Sequence, residues 1–167
     1  MSELTNILGL VARNLIAKQQ RKILNKKSYV YNDGGRKEAG FKGDAGDCVT
    51  RSIAIAAELP YIDVYNELNV RTRAARKSGN RAGARTGIPK SVWKSYLEEL
   101  GWTWTATMGI GTGCKVHLRG SELPEGRLIV RCTRHLVAVI DGEIHDTHDS
   151  SHDGSRCVYG YWRKPCT

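Results

Sequence analysis

No stretch of this chain approaches the roughly 18 to 20 uninterrupted apolar residues that a membrane span requires. The pattern therefore predicts a soluble chain without a transmembrane segment. The opening MSELTNILGLVARNLIAKQQRKILNKK also lacks the features of a secretory signal, because Glu3 precedes the apolar run and Arg13 interrupts it. Cysteine is sparse. The five, at 48, 114, 132, 157 and 166, are odd in number and contain no CxxC pair. Neither a zinc knuckle nor a disulfide framework is signalled, and a reducing, cytoplasmic location is expected. GIGTG, from 109 to 113, has the glycine density of a phosphate loop. No helical pattern follows it and no lysine-serine/threonine pair ends it, so neither dinucleotide nor P-loop binding is supported, and no cofactor is expected.

What is present describes one folded domain. The 167 residues are 40% hydrophobic and include four tryptophans, enough for a real core. The net charge of +9 is uneven: residues 1–30 carry six bases and one acid, and residues 71–90 carry seven bases and no acid. These segments either engage a nucleic acid or another acidic partner, through Arg71, Arg73, Arg76, Lys77, Arg81 and Arg85 in the second of them, or form solvated surface. Leu4, Ile7, Leu8, Val11 and Leu15 recur at helical steps, so residues 1–28 read as a basic amphipathic extension that could dock on a larger assembly. Residues 29–167 form the main domain.

Within that domain, YNDGGRKEAGFKGDAGDC reads as turns and loop. GDCVTRSIAIAAELP then has Val49, Ile53 and Ala56 or Ala57 at helical spacing, with Asp47 as a candidate N-cap and Pro60 as a stop. Cys48 thereby falls in the first turn of a buried helix, where free N–H groups and the helix dipole favour a thiolate. A lone cysteine there is also a common small core residue. YIDVYNEL reads as a second short helix followed by a basic loop. GIPKSVWKSYLEELG reads as a third helix, with Val92, Trp93, Tyr96, Leu97 and Leu100 on its apolar face and Gly101 as its stop.

The last third reads as antiparallel sheet: GRLIVRC, HLVAVI and EIHDTH, the last two joined by the Asp141-Gly142 hairpin turn. If Ile140 pairs with Glu143, Val137 pairs with Asp146 and His135 with His148, and alternation puts these four on one face. Asp146 becomes the diagonal neighbour of His135. The same alternation sends His145 and Asp146 to opposite faces, so the cluster HDTHDSSHD (145–153) does not converge as one ligand set and no metal is expected. A cysteine at a helix start, a histidine opening a strand and an aspartate on the adjoining strand supply a nucleophile, its general base and the group that orients the base.

GDCVTRSIAIA followed by RHLVAVIDGEIHDTHD resembles the Cys-His-Asp pattern of papain-fold cysteine hydrolases. The stretch from about 29 to 163 is similar to small uncharacterised proteins of bacteriophages and bacteria with that pattern. The resemblance implies an α+β, papain-like fold in which an N-terminal helical lobe carrying Cys48 packs on a C-terminal antiparallel sheet carrying His135 and Asp146. It further implies peptidase, amidase or related acyl-transfer chemistry on a protein or peptide, in a bacterial host cell or virion. Papain-type enzymes place a glutamine shortly before the cysteine for the oxyanion hole, whereas here the nearest are Gln19 and Gln20. The Cys48 N–H and Asn32 are the candidate donors instead. Trp102, Trp104 and Trp162 either line a substrate groove or fill the core. Two other functions stay open: a catalytically silent binding module, and a modifier that deamidates or cross-links a target protein.

Overall fold

A computed structural model describes residues 29–75 and 82–165, together with Arg13, Leu15 and Ile16, which are helical and exposed. Most of the expected extension over residues 1–28 lies outside the described residues, as do Arg76, Lys77 and Arg81. The described residues make an α+β unit with six strands in a single sheet: β1 (Tyr29–Tyr31), β2 (Thr103–Ala106), β3 (Arg127–Cys132), β4 (His135–Ile140), β5 (Glu143–Asp146) and β6 (Gly160–Arg163). Three helices accompany them: α1 (Cys48–Ala57), α2 (Tyr61–Ala74) and α3 (Lys90–Glu99). The strand order is β1-β5-β4-β3-β6-β2.

The hairpin forms in the expected register. Asp141 (φ 48°) and Gly142 (φ 79°) take the two positive-φ positions of a primed turn, and Ile140 pairs with Glu143, Val139 with Ile144 and Ala138 with His145. The expectation of a C-terminal, wholly antiparallel sheet is corrected at both edges. β1, from the start of the domain, runs parallel to β5, and β2, from the middle of the chain, closes the other edge against β6. Three residues are too few for alternation to reveal β1. Its contribution is local but consequential: Tyr31 pairs with Asp146, and the Asn32 N–H donates to the Asp146 carbonyl at 2.8 Å.

The sheet is buried on both faces, which explains the nearly unbroken apolar runs of β3 and β4. Ile129, Leu136, Ala138 and Trp162 pack with the helices, while Leu128, Val130, Val137, Val139 and Ile144 pack with Leu118, Leu123 and Val158 on the other side. α1 is sunk into the first layer, with Ile53 fully buried, a burial worth about 1.5–3 kcal/mol. Its carboxyl end is closed by Arg127, whose guanidinium donates to the carbonyls of Ile55 (2.9 Å) and Ala56 (3.0 Å).

A second correction concerns the basic loop expected from residue 71. α2 continues to Ala74, so Arg71 and Arg73 are in its last turn, where their charge complements the helix dipole. Beyond the helix, residues 82–88 are wedged between α1 and α2: the Thr50 hydroxyl donates to the Ala84 carbonyl, and the Ala84 N–H donates to Asn69 Oδ1. The Gly46 N–H donates to the Arg85 carbonyl at 2.9 Å, which fixes the chain two residues before Cys48.

Candidate active site

Cys48 opens α1, His135 opens β4 and Asp146 ends β5, so the amino end of the helix meets one end of the sheet. The half-buried thiol lies beside the His135 ring and the Leu136 backbone N–H, both of which favour its thiolate form. The opposite side of the ring is fixed: His135 Nε2 lies 2.6 Å from Asp146 Oδ2, leaving Nδ1 for the thiol. Asp146 Oδ1 in turn accepts from the Thr147 N–H at 2.7 Å and from the Arg51 guanidinium at 3.2 Å. Both carboxylate oxygens are thus engaged, and the residue is 3% exposed.

Asp47 does not cap α1 as the sequence suggested. Its side chain makes no cap bond, being drawn instead into a buried network. It pairs with Arg51, one turn along the helix, and with Arg36 Nε at 3.0 Å, and it accepts from the Tyr61 hydroxyl at 2.7 Å. Two cations outcompete one peptide N–H for a buried carboxylate. The result is useful to the site, because Arg51 bridges Asp47 to Asp146 and so couples the helix bearing the thiol to the strand bearing the carboxylate. Neither Arg36 nor Arg51 was marked by sequence; the only signal was an arginine in the first turn of a helix that reads as buried.

The electrostatics follow from these contacts. Burial opposes ionisation of Cys48, but the His135 and Leu136 hydrogen bonds and the charges of His135 and Arg51 outweigh it and hold the thiol below its ordinary value. Burial likewise disfavours charge on His135, yet Asp146 and Cys48 raise it to about 9. Asp146, despite its own burial, is brought down to about 2 by His135, the Thr147 N–H and Arg51. Cys48 and His135 titrate as a coupled pair, each shifted toward its charged form.

Asn32 is not positioned as the oxyanion donor proposed for it. Its Oδ1 accepts from the Gly34 N–H at 2.8 Å and its Nδ2 lies 3.3 Å from His145 Nδ1, on the face of β5 turned away from Asp146. The Cys48 N–H lies in the first turn of its helix, where it has no acceptor within the helix. The basic positions are divided. Arg71 is held by Glu67 and by a two-pronged pair with Glu99, and lies over the Tyr96 ring. Arg85 donates to the Lys42 carbonyl and lies over Phe41, and Arg73 is exposed.

The HDTHDSSHD segment separates into distinct environments. His145 faces Asn32, Asp146 faces His135, His148 sits with its ring 5.6 Å from that of His135, and residues 149–155 turn back under the Arg156 and Arg119 guanidiniums. His135, Asp146 and His148 bring one potential ligand atom each within 4.8 Å of one another. The fit to an ion is poor. Two ligands on one tetrahedral zinc stand about 3.3 Å apart given zinc distances of about 2.0–2.1 Å, which is longer than the His135–Asp146 contact.

Two depressions meet at Cys48 and His135. One, of about 410 Å³, is walled by Thr86, Gly87, Ile88 and Trp93, so the basic segment contributes a cleft wall. The other, of about 730 Å³, is bounded by Asp33, residues 43–46, Thr147 and His148. Arg134, with φ 53°, belongs to both rims. Farther along, Cys114 and Cys157 form a disulfide with Cα atoms 5.8 Å apart, against the expectation of unpaired cysteines. The bridge between His117 and Cys157 brings those segments together, a pairing that spacing in sequence does not reveal. Cys48 and Cys132 are free thiols. Among the described residues no helix is long and apolar enough to cross a membrane. Compared with protein-family models, curated proteins and solved structures, the chain matches none of them.

Proposed function

We propose that the chain is a cysteine-dependent acyl-transfer enzyme, a peptidase or amidase of papain-like type, with Cys48 as nucleophile, His135 as acid and base, and Asp146 as the group that orients His135. The observation that carries this reading is the continuous chain of contacts from the Cys48 thiol through the His135 ring to Asp146 Oδ2, placed at a helix amino terminus and open to a cleft on either side. The Cys48 thiolate attacks the carbonyl carbon and forms a C–S bond, while the carbonyl oxygen gathers charge beside the Cys48 N–H. Collapse of the tetrahedral adduct breaks the bond to the leaving group, which takes its proton from His135. Water then attacks the thioester, His135 accepts its proton, and loss of the acid restores the thiolate and imidazolium.

Deamidation and cross-linking use the same nucleophilic step and differ in leaving group or acceptor. Docking on nucleic acid has less support, since Arg71 and Arg85 are committed to intramolecular partners. An activated ester such as p-nitrophenyl acetate tests the reading. Rapid release of one equivalent of nitrophenol, with the acetyl group found on Cys48 by peptide mass, is expected, and its loss in Cys48→Ala should be complete. Release unchanged in that variant would refute it.

A further inference from the structure

Beyond the Cys48 cleft lies a second pocket of about 390 Å³, within the size range of small-ligand sites. It adjoins the cleft, with Lys90, Trp93 and Arg131 lining both. Its floor is aromatic: Trp93 and Trp162 meet edge to face at 6.2 Å, Trp104 tilts against Trp162 at 5.5 Å, and Tyr159 completes the wall. Trp104 is 37% exposed and Ile110 wholly so, and Met108 joins them at the rim. The pocket is built by a backbone choice. Gly160, at φ 153°, runs so close to the Trp104 indole and the Thr105 carbonyl that any Cβ there would collide with both.

The charges at this pocket have one sign. Lys90, Lys94 and Arg131 line it and no carboxylate does. Lys94 is partly offset by Glu98 at 3.6 Å, and Arg131 lies 5.5 Å from the Tyr159 ring centre, with no ion pair to it among the described residues. An apolar floor beneath unopposed cations is complementary to a group that is apolar at one end and anionic at the other.

We propose that this pocket is a substrate subsite for the C-terminal apolar residue of a peptide, the side chain resting on Trp104 between Met108 and Ile110 and the free carboxylate meeting Lys90 and Arg131. The assignment deepens the acyl-transfer reading and rests on it for the word substrate. The pocket's ligand preference can be tested without turnover.

The probes are N-acetyl-phenylalaninate, its uncharged analogue N-acetyl-phenylalaninamide, and acetate, titrated into the full chain and into Cys48→Ala with tryptophan fluorescence as readout. The carboxylate form is expected to bind about five- to tenfold more tightly than the amide, from one charge-assisted contact, and acetate not measurably. Lys90→Met, at an exposed helix start, should reduce that preference, and Ala106→Trp should block binding by filling the pocket. Equal affinity for acid and amide, binding of acetate alone, or binding unaffected by Ala106→Trp would overturn the proposal. Binding that persists in Cys48→Ala while Cys48 of the wild type proves unreactive would leave the pocket standing and remove the acyl-transfer reading instead.

Discussion

The two flanks of Cys48 handle charge in opposite ways. On one side Asp47, Arg51 and Asp146 are buried and paired with one another, with Arg36 and Tyr61 completing the set. On the other, Lys90 and Arg131 stand over an aromatic floor with no carboxylate in the pocket lining. Buried, mutually satisfied charges are costly to separate, so they hold positions. Exposed, unopposed ones are cheap to approach, so they recruit. The same residue type, arginine, thus positions the site at 51 and offers a docking charge at 131.

The largest effect comes from breaking the buried side. Asp47→Ala leaves the partly buried Arg36 without its partner and Arg51 with Asp146 alone, and should cost about 3–5 kcal/mol in urea unfolding; Lys90→Met on the open side should leave stability within about 0.5 kcal/mol. Next in size is the disulfide, which fastens the loop beside the aromatic pocket. Cys114→Ser should cost about 4 kcal/mol at most, from the entropy of a loop closed across 43 residues, and leave Cys48 alkylation unchanged.

The pH dependence sharpens the comparison further. His135 is raised to about 9, so its stabilising contribution is complete below its ordinary value of 6.5 and fades as pH rises through about 9. Asp146 is depressed to about 2, so its contribution is present above the ordinary carboxylate value and is lost as pH falls through about 2. Asp146→Asn should flatten the alkaline loss of stability, and histidine NMR should show His135 titrating lower. A small effect is expected at Asn32, whose replacement by alanine removes hydrogen bonds worth about 1 kcal/mol and leaves the rate of Cys48 alkylation unaltered.

The hairpin register and the three helices of the domain were legible because each rests on local signals: Asp141-Gly142 for the turn, and apolar spacing with Pro89 and Gly101 for α3. That legibility extended to the meeting of His135 and Asp146, since a fixed register dictates diagonal neighbours. Other features arise from contacts between distant segments, which local pattern does not encode. β1 is too short to alternate, Cys114 and Cys157 are adjacent only after β6 is in place, and Asp47 abandons its capping role because Arg36 and Tyr61 arrive from elsewhere. The aromatic pocket was visible only as separate tryptophans; Trp102 and Trp162 proved to be core, Trp162 lying beneath the pocket, whereas Trp104 is exposed in its wall.

The most direct measurement is the pH profile of Cys48 alkylation by iodoacetamide, in wild type and His135→Ala, read from the modified peptide by mass. Reactivity persisting well below the free-thiol pKa of about 8.5, and lost at low pH in the variant, is the result expected of a thiolate held by His135. A wild-type profile that follows an ordinary thiol, or one identical in the variant, would contradict the activated pair at the centre of this account.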